Sequence, residues 1–579
     1  MVDGSELEIF RHQLNGIVEE MGVTLQRTAY STNIKIRRDH TCALFDSQLR
    51  HIGQHDVAPQ HIGSLVSVVP RNVPDWEDDL EPGDGILLND PYKGAVHLPD
   101  VMVISPLFHD DEIIGYAANS AHHVDIGGGT PGGIPADSTE LYGEGIIIPG
   151  IKGIKNWEYD DEILRFIRRN VRDPEMRLGD YRAQLAANRV GERRYVELVS
   201  EYGEETIQGY IDDLLAYTER RVRAAISELP DGEYAAEDDL DGDGIVDEPV
   251  RLKLTIVVDG DEMTLDFTGT AEQNTGPLNC TPPMVFAGSM SVIISLLGGD
   301  LPKNDGFYRV FDLVTPEGTM VNPTPEQPVA AGWELAIRAG DLVTRALAEP
   351  LAEETIAATK GMICNVAYGG VDPRDDDEYV YYETVAGGYG GRATKDGMDG
   401  VQPHFQNTAN SPIEELENEI PLYVRRYELI RDSAGAGRNR GGLGVRRDLE
   451  FYDHESSFTL LTDRTRSKPW GLFGGESGRA AHFSLRPDSD DPTPLKSKST
   501  TQLSPGDVVS IQTPGGGGYG DPLERAPDRV LADVIDEKIS VEAARDDYCV
   551  VVDSQTQTVD SEATQELRAN AERTEEGDA

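Results

Sequence analysis

The sequence predicts a multidomain α+β protein, with a mixed helix and strand region at the N-terminus followed by strand-rich domains. Three observations support this class. Apolar residues recur at helical spacing over residues 6–27 and within 160–228. Short apolar runs bounded by turn residues between 84 and 122 indicate neighbouring strands. Glycine and strand-forming residues are frequent from about 358 to 521.

A chain of 579 residues is long enough for about three or four domains. We place boundaries where the composition changes. The predicted units are a metal-binding N-terminal domain at 1–230 with a helical block at 160–230, a mixed α/β middle domain at 231–357, a strand- and glycine-rich domain at 358–525, and a helical C-terminal segment with an acidic tail at 526–579.

Individual elements follow from local patterns. The middle domain is expected to begin with a hairpin whose strands, 251–258 and 262–267, flank an Asp-Gly-Asp turn. The predicted helices are 6–27, 181–188, 193–202, 204–229, 284–297 and 527–537. Strands in the third region are expected at 379–383, 423–429, 448–452 and 458–461, and the last dozen residues are expected to be disordered.

Histidines are concentrated near the N-terminus. Nine of the twelve lie between His12 and His123, and three fall in the phrases His97-Leu98-Pro99-Asp100 and Ala121-His122-His123. The runs 101–108 and 113–122 flank a turn short enough for a hairpin, which brings Asp100 within one residue of opposite His122. Imidazole and carboxylate together suit one divalent ion such as Zn, Mn or Fe, so we predict a metal site.

A fourth ligand is expected earlier in the chain. Asp39, just before the apolar run 41–45, is the first candidate. Four imidazoles compete with it, and spacing alone does not choose among them: His40, His51, His55 and His61.

His123 is a candidate catalytic residue, because it could orient the site or shuttle a proton. Successive side chains on an extended strand alternate faces, so His123 does not share the direction of His122. The alternative is structural, with His123 donating to a carbonyl or packing under the loop 127–129. Asn89 and Asp90 are candidates for supporting the ligands.

A series of motifs resembles the hydantoinase B/oxoprolinase family. They are 30–33 (YSTN), 37–39 (RRD), 89–92 (NDPY), 97–100 (HLPD), 121–123 (AHH), 127–130 (GGGT), 134–135 (IP), 266–269 (DFTG), 276–279 (GPLN), 435–444 (GAGRNRGGLG) and 513–522 (TPGGGGYGDP). Their order over more than 450 positions makes chance agreement implausible. The metal ligands of that family match Asp39, His97, Asp100 and His122 here.

The resemblance implies the metal-bearing subunit of an ATP-dependent cyclic amidase that opens a hydantoin, 5-oxoproline or similar lactam ring. ATP and Mg would be bound mainly by a hydantoinase A-like partner subunit, in a hetero-oligomer. Consistent with this division, the chain has no Gly-x4-Gly-Lys-Ser/Thr loop. An acetone carboxylase-like alpha subunit remains the second interpretation, and a non-enzymatic acidic protein that collects cations the third.

The resemblance also implies a chemical sequence. Phosphorylation of the ring carbonyl would make its carbon electrophilic, and the site would then deliver water. A divalent ion with an open position lowers the pKa of bound water from 15.7 toward roughly 7.

Two further patterns have competing explanations. Glycine stretches such as 387–391 and 515–520 could cradle phosphate, but the latter does not lead into a helix, so turns or close packing are favoured. The acidic segment 239–248 resembles a calcium loop but has Val250 where a bidentate Glu is required, so an acidic turn is favoured.

The charge balance is strongly acidic. Lys and Arg number 52 against 104 Asp and Glu, a net charge of −52. Nucleic acid and anionic membranes are poor partners for such a surface. Dispersed acidity of this size is typical of proteins from a high-salt cytoplasm, where salt screens self-repulsion, so we expect salt-dependent folding; an ordinary acidic cytosolic protein is the alternative.

The remaining composition favours a cytoplasmic protein. The four cysteines are far apart and indicate neither a thiolate site nor a disulfide framework. The first residues lack a basic and then apolar segment, so no signal peptide is expected. The most apolar stretch, 284–297, is too short to span a bilayer.

Overall fold

Helices and mainly antiparallel sheets alternate along the chain in a computed structural model, which describes residues 4–55, 61–404 and 406–578. The predicted α+β class is confirmed. The helices in this part of the chain are Gly4–Thr28, Thr32–Lys35, Ile62–Asn72, Asp161–Asn170, Pro174–Tyr202, Glu204–Ile226, Pro282–Leu296, Asp305–Tyr308, Gly332–Ala346, Ile413–Glu419, Pro527–Ile535, Val541–Asp546 and Ser561–Asp578.

The first sheet has seven strands among the described residues. From edge to edge they are His51–Gln54, His40–Asp46, Glu112–His122, Asp100–His109, Gly85–Leu88, Pro149–Lys155 and Glu158–Tyr159. All of its neighbouring pairs are antiparallel. Asp100 pairs directly with His122, as the hairpin spacing predicts, and His40 pairs with Ala121.

Both faces of this sheet are buried, and alternation along each strand divides its side chains between two cores. Cys42 and Leu44 pack with the helix Gly4–Thr28. Ala43 and Phe45 point to the other face and join a larger cluster that includes residues of Pro282–Leu296 and Gly332–Ala346.

The second sheet shares a hydrophobic cluster with the helices Pro282–Leu296 and Gly332–Ala346. Its strand order is Phe311–Val314, Glu262–Asp266, Val250–Asp259 and Gly232–Leu240, and the middle pair is the predicted hairpin. The buried helix Gly332–Ala346 links this region to the later sheets, because Arg338 donates to Asp463 at 2.7 Å. One hydrophobic cluster accordingly runs from Ala43 to Leu461. The three boundaries between the four predicted domains stay predictions.

Two further sheets follow. Their strands are Glu378–Thr384, Asn365–Val371, Ser456–Leu461 and Lys498–Leu503 in one, and Leu422–Leu429, Val445–Phe451, Asp507–Gln512, His482–Leu485 and Thr493–Pro494 in the other. A short pair, Val552–Asp553 and Thr558–Val559, lies near the C-terminus.

Glycine-rich segments beside these sheets pack backbone against backbone. Gly516 donates to the Gly442 carbonyl at 2.9 Å, and Gly442 donates to that of Tyr389 at 2.7 Å. A Cβ on Gly516 would lie 2.2 Å from the Tyr389 carbonyl oxygen. Close packing therefore explains why this stretch is glycine, as the sequence favoured over a phosphate loop.

Some local predictions differ from the structure. The expected helices 181–188 and 193–202 are one continuous helix, Pro174–Tyr202. The buried face of this helix continues between the two expected segments, where Gly191 lies against Met21 and Ala117 of the first sheet. The tail expected to be disordered continues as the helix Ser561–Asp578, since its Glu, Ala, Gln and Arg residues have high helix propensity.

The calcium-like segment is an acidic turn whose buried carboxylates are satisfied by protein donors. Asp243 accepts from the backbone of Ile245, Val246 and Gly276, and Asp241 accepts from Thr465. Across the part of the chain described, no helix is long and apolar enough to cross a membrane.

Candidate metal centre

The four predicted ligands come from one end of the first sheet. Asp100 begins its strand and His122 ends the neighbouring one, so their pairing places both side chains at the same edge. His97 lies in the preceding turn, where its carbonyl accepts from the Asp100 N–H at 3.0 Å. Asp39 precedes the next strand and accepts from the His122 N–H at 3.0 Å through its own carbonyl.

Three of these residues form a compact donor set. One ligand atom from each of His97, Asp100 and His122 lies within 4.8 Å of the other two. His97 Nε2 lies 3.2 Å from Asp100 Oδ2. All three side chains are buried.

Asp39 and His61 complete the surroundings of Asp100. His61 Nε2 lies 3.3 Å from Asp100 Oδ1 and 3.9 Å from Asp39 Oδ1. Asp39, His61, Asp100 and His122 line one small cavity of about 20 Å³. Of the four imidazoles that sequence spacing left open, His61 is therefore the one that the structure brings to the site.

The other three competing histidines lie away from this cavity. His40 stacks on His55, with ring centroids 6.0 Å apart, and His51 contacts the rings of Phe45 and Tyr308. Burial lowers the pKa of His40 and that of His51 to about 3.

The donor set fits a divalent cation. Among the described residues, His97 Nδ1 and His122 Nε2 are buried without a hydrogen bond, and the side-chain oxygens of buried Asp100 contact only the rings of His97 and His61, at 3.2 and 3.3 Å. Buried polar atoms usually have partners, and unpaired ones that converge are satisfied together by a cation. Imidazole nitrogen with carboxylate oxygen suits Zn, Mn or Fe.

Electrostatics at the site agree with cation binding. Burial disfavours the Asp100 carboxylate, but the His97 and His61 rings outweigh burial and hold the pKa of Asp100 far below its ordinary value. Burial raises the pKa of Asp39, and the nearby Asp100 adds to that effect. Burial lowers the pKa of His122 well below its ordinary value, so its ring is neutral at pH 7, the form that binds a metal.

Arg37 and Tyr382 fix the orientation of His122. The Tyr382 ring stacks on His122 with centroids 4.5 Å apart, and the Arg37 guanidinium lies 4.8 Å from the centroid of the Tyr382 ring. Arg37 also donates to Asn33 Oδ1 at 2.6 Å, which orients the Asn33 amide to donate to the His122 carbonyl at 2.7 Å.

His123 lies on the opposite face of the strand, as alternation predicts. Its Nε2 is 2.9 Å from Gln184 Oε1, and its ring packs against Tyr181 on the helix Pro174–Tyr202. His123 does not line the cavity next to Asp100. This position favours the structural alternative over a role in proton transfer.

Asn89 and Asp90, the candidates for supporting the ligands, form hydrogen bonds with the backbone. Asn89 donates to the Leu98 carbonyl at 2.8 Å and so holds the turn that carries His97. Asp90 caps the turn Pro91–Lys93 by accepting from Tyr92 at 2.9 Å.

The far wall of the small cavity was missed by sequence reasoning. It consists of Trp333, Ile363, Tyr382, Thr384 and Gln406. These residues lie more than two hundred positions after the predicted ligands and carry no spacing signal, because tertiary packing alone brings them to the site.

The site is a buried donor cluster where the first sheet, which carries Asp100 and His122, meets the sheet that carries Tyr382 and Thr384. The chain belongs to the hydantoinase B/oxoprolinase family, which it matches over residues 3–522. It is 36% identical over 594 aligned positions to a protein of a Pseudomonas species named as one subunit of a D-/L-hydantoinase, with 98% of each chain covered. It is 32% identical to 5-oxoprolinase 1 of Arabidopsis thaliana, of which it covers 42%.

Two solved structures share the fold. The ATP-dependent caprolactamase of Pseudomonas jessenii has a TM-score of 0.91 and 29% identity, covering 98% of this chain and 100% of that one. A nucleotide-free acetone carboxylase also has a TM-score of 0.91, at 20% identity, covering 99% and 84%. At that identity the second likeness shows the fold alone. The named relatives are enzymes, which supports the prediction of an enzyme.

Proposed function

We propose that this chain is the cation-binding subunit of an ATP-dependent cyclic amidase that opens a hydantoin, 5-oxoproline or similar lactam ring. The observation that carries the proposal is the approach of ligand atoms of His97, Asp100 and His122 to within 4.8 Å of one another, beside a small cavity that Asp39, Asp100 and His122 line. Family membership and the likeness to a caprolactamase support the reaction class. The likeness to acetone carboxylase extends to the fold and does not favour a carboxylase.

The residues of the chain perform two tasks in this proposal, holding a cation and excluding bulk water. Asp39, His97, Asp100 and His122 hold one Zn, Mn or Fe ion, with His61 as the competing fourth donor. A divalent ion at these donors supplies positive charge that favours deprotonation of water near neutral pH. Tyr382 and Trp333, both buried, exclude bulk water from the cavity and so strengthen the electrostatic interactions inside it.

Activation of the ring is assigned to another chain. No Gly-x4-Gly-Lys-Ser/Thr sequence is present, so we assign ATP and Mg to a hydantoinase A-like partner in a hetero-oligomer. The Pseudomonas relative, itself named as one subunit of a hydantoinase, supports the existence of such a partner. We place the complex in a cytoplasm of high salt, on the net charge of −52.

Metal analysis tests the donor set. The purified full chain is expected to contain about one divalent ion, and His97→Ala to lose it, because a buried site rarely retains an ion with an incomplete donor set. Elemental analysis of His97→Ala, Asp39→Asn and His61→Ala measures each contribution. A supporting residue is expected to weaken binding by about 10–100-fold, and a ligand by more.

His109→Ala is the matched control, since His109 is paired with Glu204 outside the site. An unchanged ion content in His97→Ala would refute the site. If His61→Ala loses more of the bound ion than Asp39→Asn does, His61 is the fourth ligand in place of Asp39.

Turnover assays test the reaction class. With its partner subunit, the chain is expected to stimulate ATP hydrolysis on addition of hydantoin, 5-oxoproline or caprolactam. Stimulation only by acetone with bicarbonate would instead assign the carboxylase. Equal ATP hydrolysis with all of these compounds and without them would refute both.

A further inference from the structure

Two cavities of very different size share one wall residue near the donor cluster. The inner one, about 20 Å³, has space for about one water molecule and none for a ring. The outer one is about 810 Å³, within the range of ligand pockets. It reaches the surface, since Met398 and Tyr427 on its wall are 45% and 44% exposed. Gln406 lines both cavities.

Gln406 has an unsatisfied acceptor at this boundary. The residue is 5% exposed, and its Oε1 is buried without a hydrogen-bond donor among the described residues. Its Nε2 donates to Thr408 Oγ1 at 3.3 Å, which leaves the oxygen as the free end of the amide. A buried carbonyl without a donor lowers stability, and a ligand that donates a hydrogen bond to it would remove that cost.

A hydrogen-bond chain ties Gln406 to the predicted ligands. Thr408 Oγ1 lies 2.8 Å from Thr384 Oγ1, which accepts from Arg37 at 3.2 Å. Arg37 also holds Asn33, the residue that orients His122. The segment carrying Gln406 is therefore held in fixed relation to the donor cluster.

We propose that Gln406 is the specificity-determining residue that accepts a hydrogen bond from the ring N–H of the substrate in the outer cavity. The inference rests on the proposed function and narrows its substrate class to rings with an unsubstituted amide nitrogen. The amide carbonyl is one bond from that nitrogen. A ring held by its N–H at Gln406 thus has its carbonyl at the boundary with the inner cavity.

Ring chemistry explains the selectivity. Hydantoin, 5-oxoproline and caprolactam each carry an amide N–H that pairs with Oε1. An N-methyl lactam such as N-methyl-2-pyrrolidinone, or a ketone such as acetone, carries none, and its binding leaves the carbonyl of Gln406 buried and unpaired. Loss of one such pair is worth roughly 10- to 100-fold in affinity.

The test compares binding of 2-pyrrolidinone and N-methyl-2-pyrrolidinone to the full chain by ligand-observed NMR, which does not depend on turnover. Wild type is expected to prefer the N–H ring by roughly 10- to 100-fold. Gln406→Leu removes the acceptor and is expected to lose that preference. Gln406→Glu retains an acceptor in a side chain of similar shape and is expected to keep it.

Gln208→Leu makes the same substitution on a distant helix, where Gln208 contacts Asp212, and is expected to retain the preference. Equal binding of the two rings to wild type, or a preference that survives in Gln406→Leu, would overturn the proposal. Metal content and ring-stimulated ATP hydrolysis are measured in parallel. If metal content and ring-stimulated ATP hydrolysis are normal but wild type shows no preference for the N–H ring, the role of Gln406 is refuted and the proposed function stands. If the preference is present but no ring stimulates ATP hydrolysis, the proposed amidase activity is refuted and the role of Gln406 stands.

Discussion

Glu144 shows how a single buried carboxyl group shapes the region behind the site. It accepts hydrogen bonds from the backbone of Val329 and Ala330 and from Ser138, and so joins the loop after His123 to the segment before Trp333. Burial raises the pKa of Glu144 to about 7, because these hydrogen bonds only partly offset the loss of water.

The raised pKa makes folding stability depend on pH. In the unfolded chain Glu144 ionises near its ordinary value of 4.5, so between pH 4.5 and 7 only the folded state retains the proton. Stability therefore falls as pH rises through this window and the loss is constant above it. Glu144→Gln is expected to remove the loss, which amounts to at most about 3 kcal/mol.

Urea unfolding of wild type and Glu144→Gln from pH 5 to 8 measures this difference. The exposed Glu140→Gln in the same loop is the control and is expected to follow wild type. Parallel pH profiles for wild type and Glu144→Gln would contradict the prediction.

Sequence patterns predicted part of the candidate site, because the turn and the strand alternation that form this part are local features of the chain. The pairing of Asp100 with His122 follows from a short turn and strand alternation, both of which spacing encodes. Spacing does not encode the approach of His61 to Asp100, because that approach depends on how the helix Ile62–Asn72 packs. Gln406 was beyond reach for the same reason, since no periodicity relates it to residues three hundred positions earlier.

Among the elements, the glycine-rich segments restrict substitution most severely. Gly516→Ala would place a methyl group 2.2 Å from the backbone oxygen of Tyr389, and backbone atoms cannot rotate away. We expect a loss of about 1–3 kcal/mol or more. Gly209→Ala is the matched control, because nothing lies within 4 Å of that position on its helix and alanine favours helix.

Thermal and urea unfolding of both variants measure the contrast. Gly209→Ala is expected to be neutral or stabilising by up to about 1 kcal/mol. Equal stability of the two variants would show that the glycine segments are not closely packed.

Elements with a strong period were predictable and those defined by packing were not. The helix Gly4–Thr28 and the hairpin at Val250–Asp259 lie where periodicity and turn residues place them. The helix Gly332–Ala346 was not predicted, because its buried Glu334, Arg338 and Asp341 conceal an apolar face. These charges are satisfied by partners that folding supplies from other regions, such as Asp463 for Arg338.

At the scale of the whole molecule, the net charge of −52 is the dominant property. The Debye length falls from about 10 Å at 0.1 M salt to about 3 Å at 1 M, so salt weakens repulsion between dispersed acidic side chains. We expect the free energy of unfolding to rise as KCl increases from 0.1 M toward molar concentrations.

Circular dichroism during thermal unfolding, at several KCl concentrations, measures this effect. Sucrose at matched osmolality is the control, because it stabilises by exclusion and does not screen charge. A fully folded chain in salt-free buffer with the same midpoint as in KCl would contradict the expectation.

The wall of the inner cavity is encoded in two separate stretches of the chain. The side chains that face the ion in our proposal come from residues before 123, whereas Trp333, Ile363, Tyr382, Thr384 and Gln406 come from the later half. Selection for retaining the ion and selection for a particular ring therefore act on different stretches of coding sequence. In our proposal, substitutions after residue 332 change the ring that is bound and leave the four cation ligands unaltered.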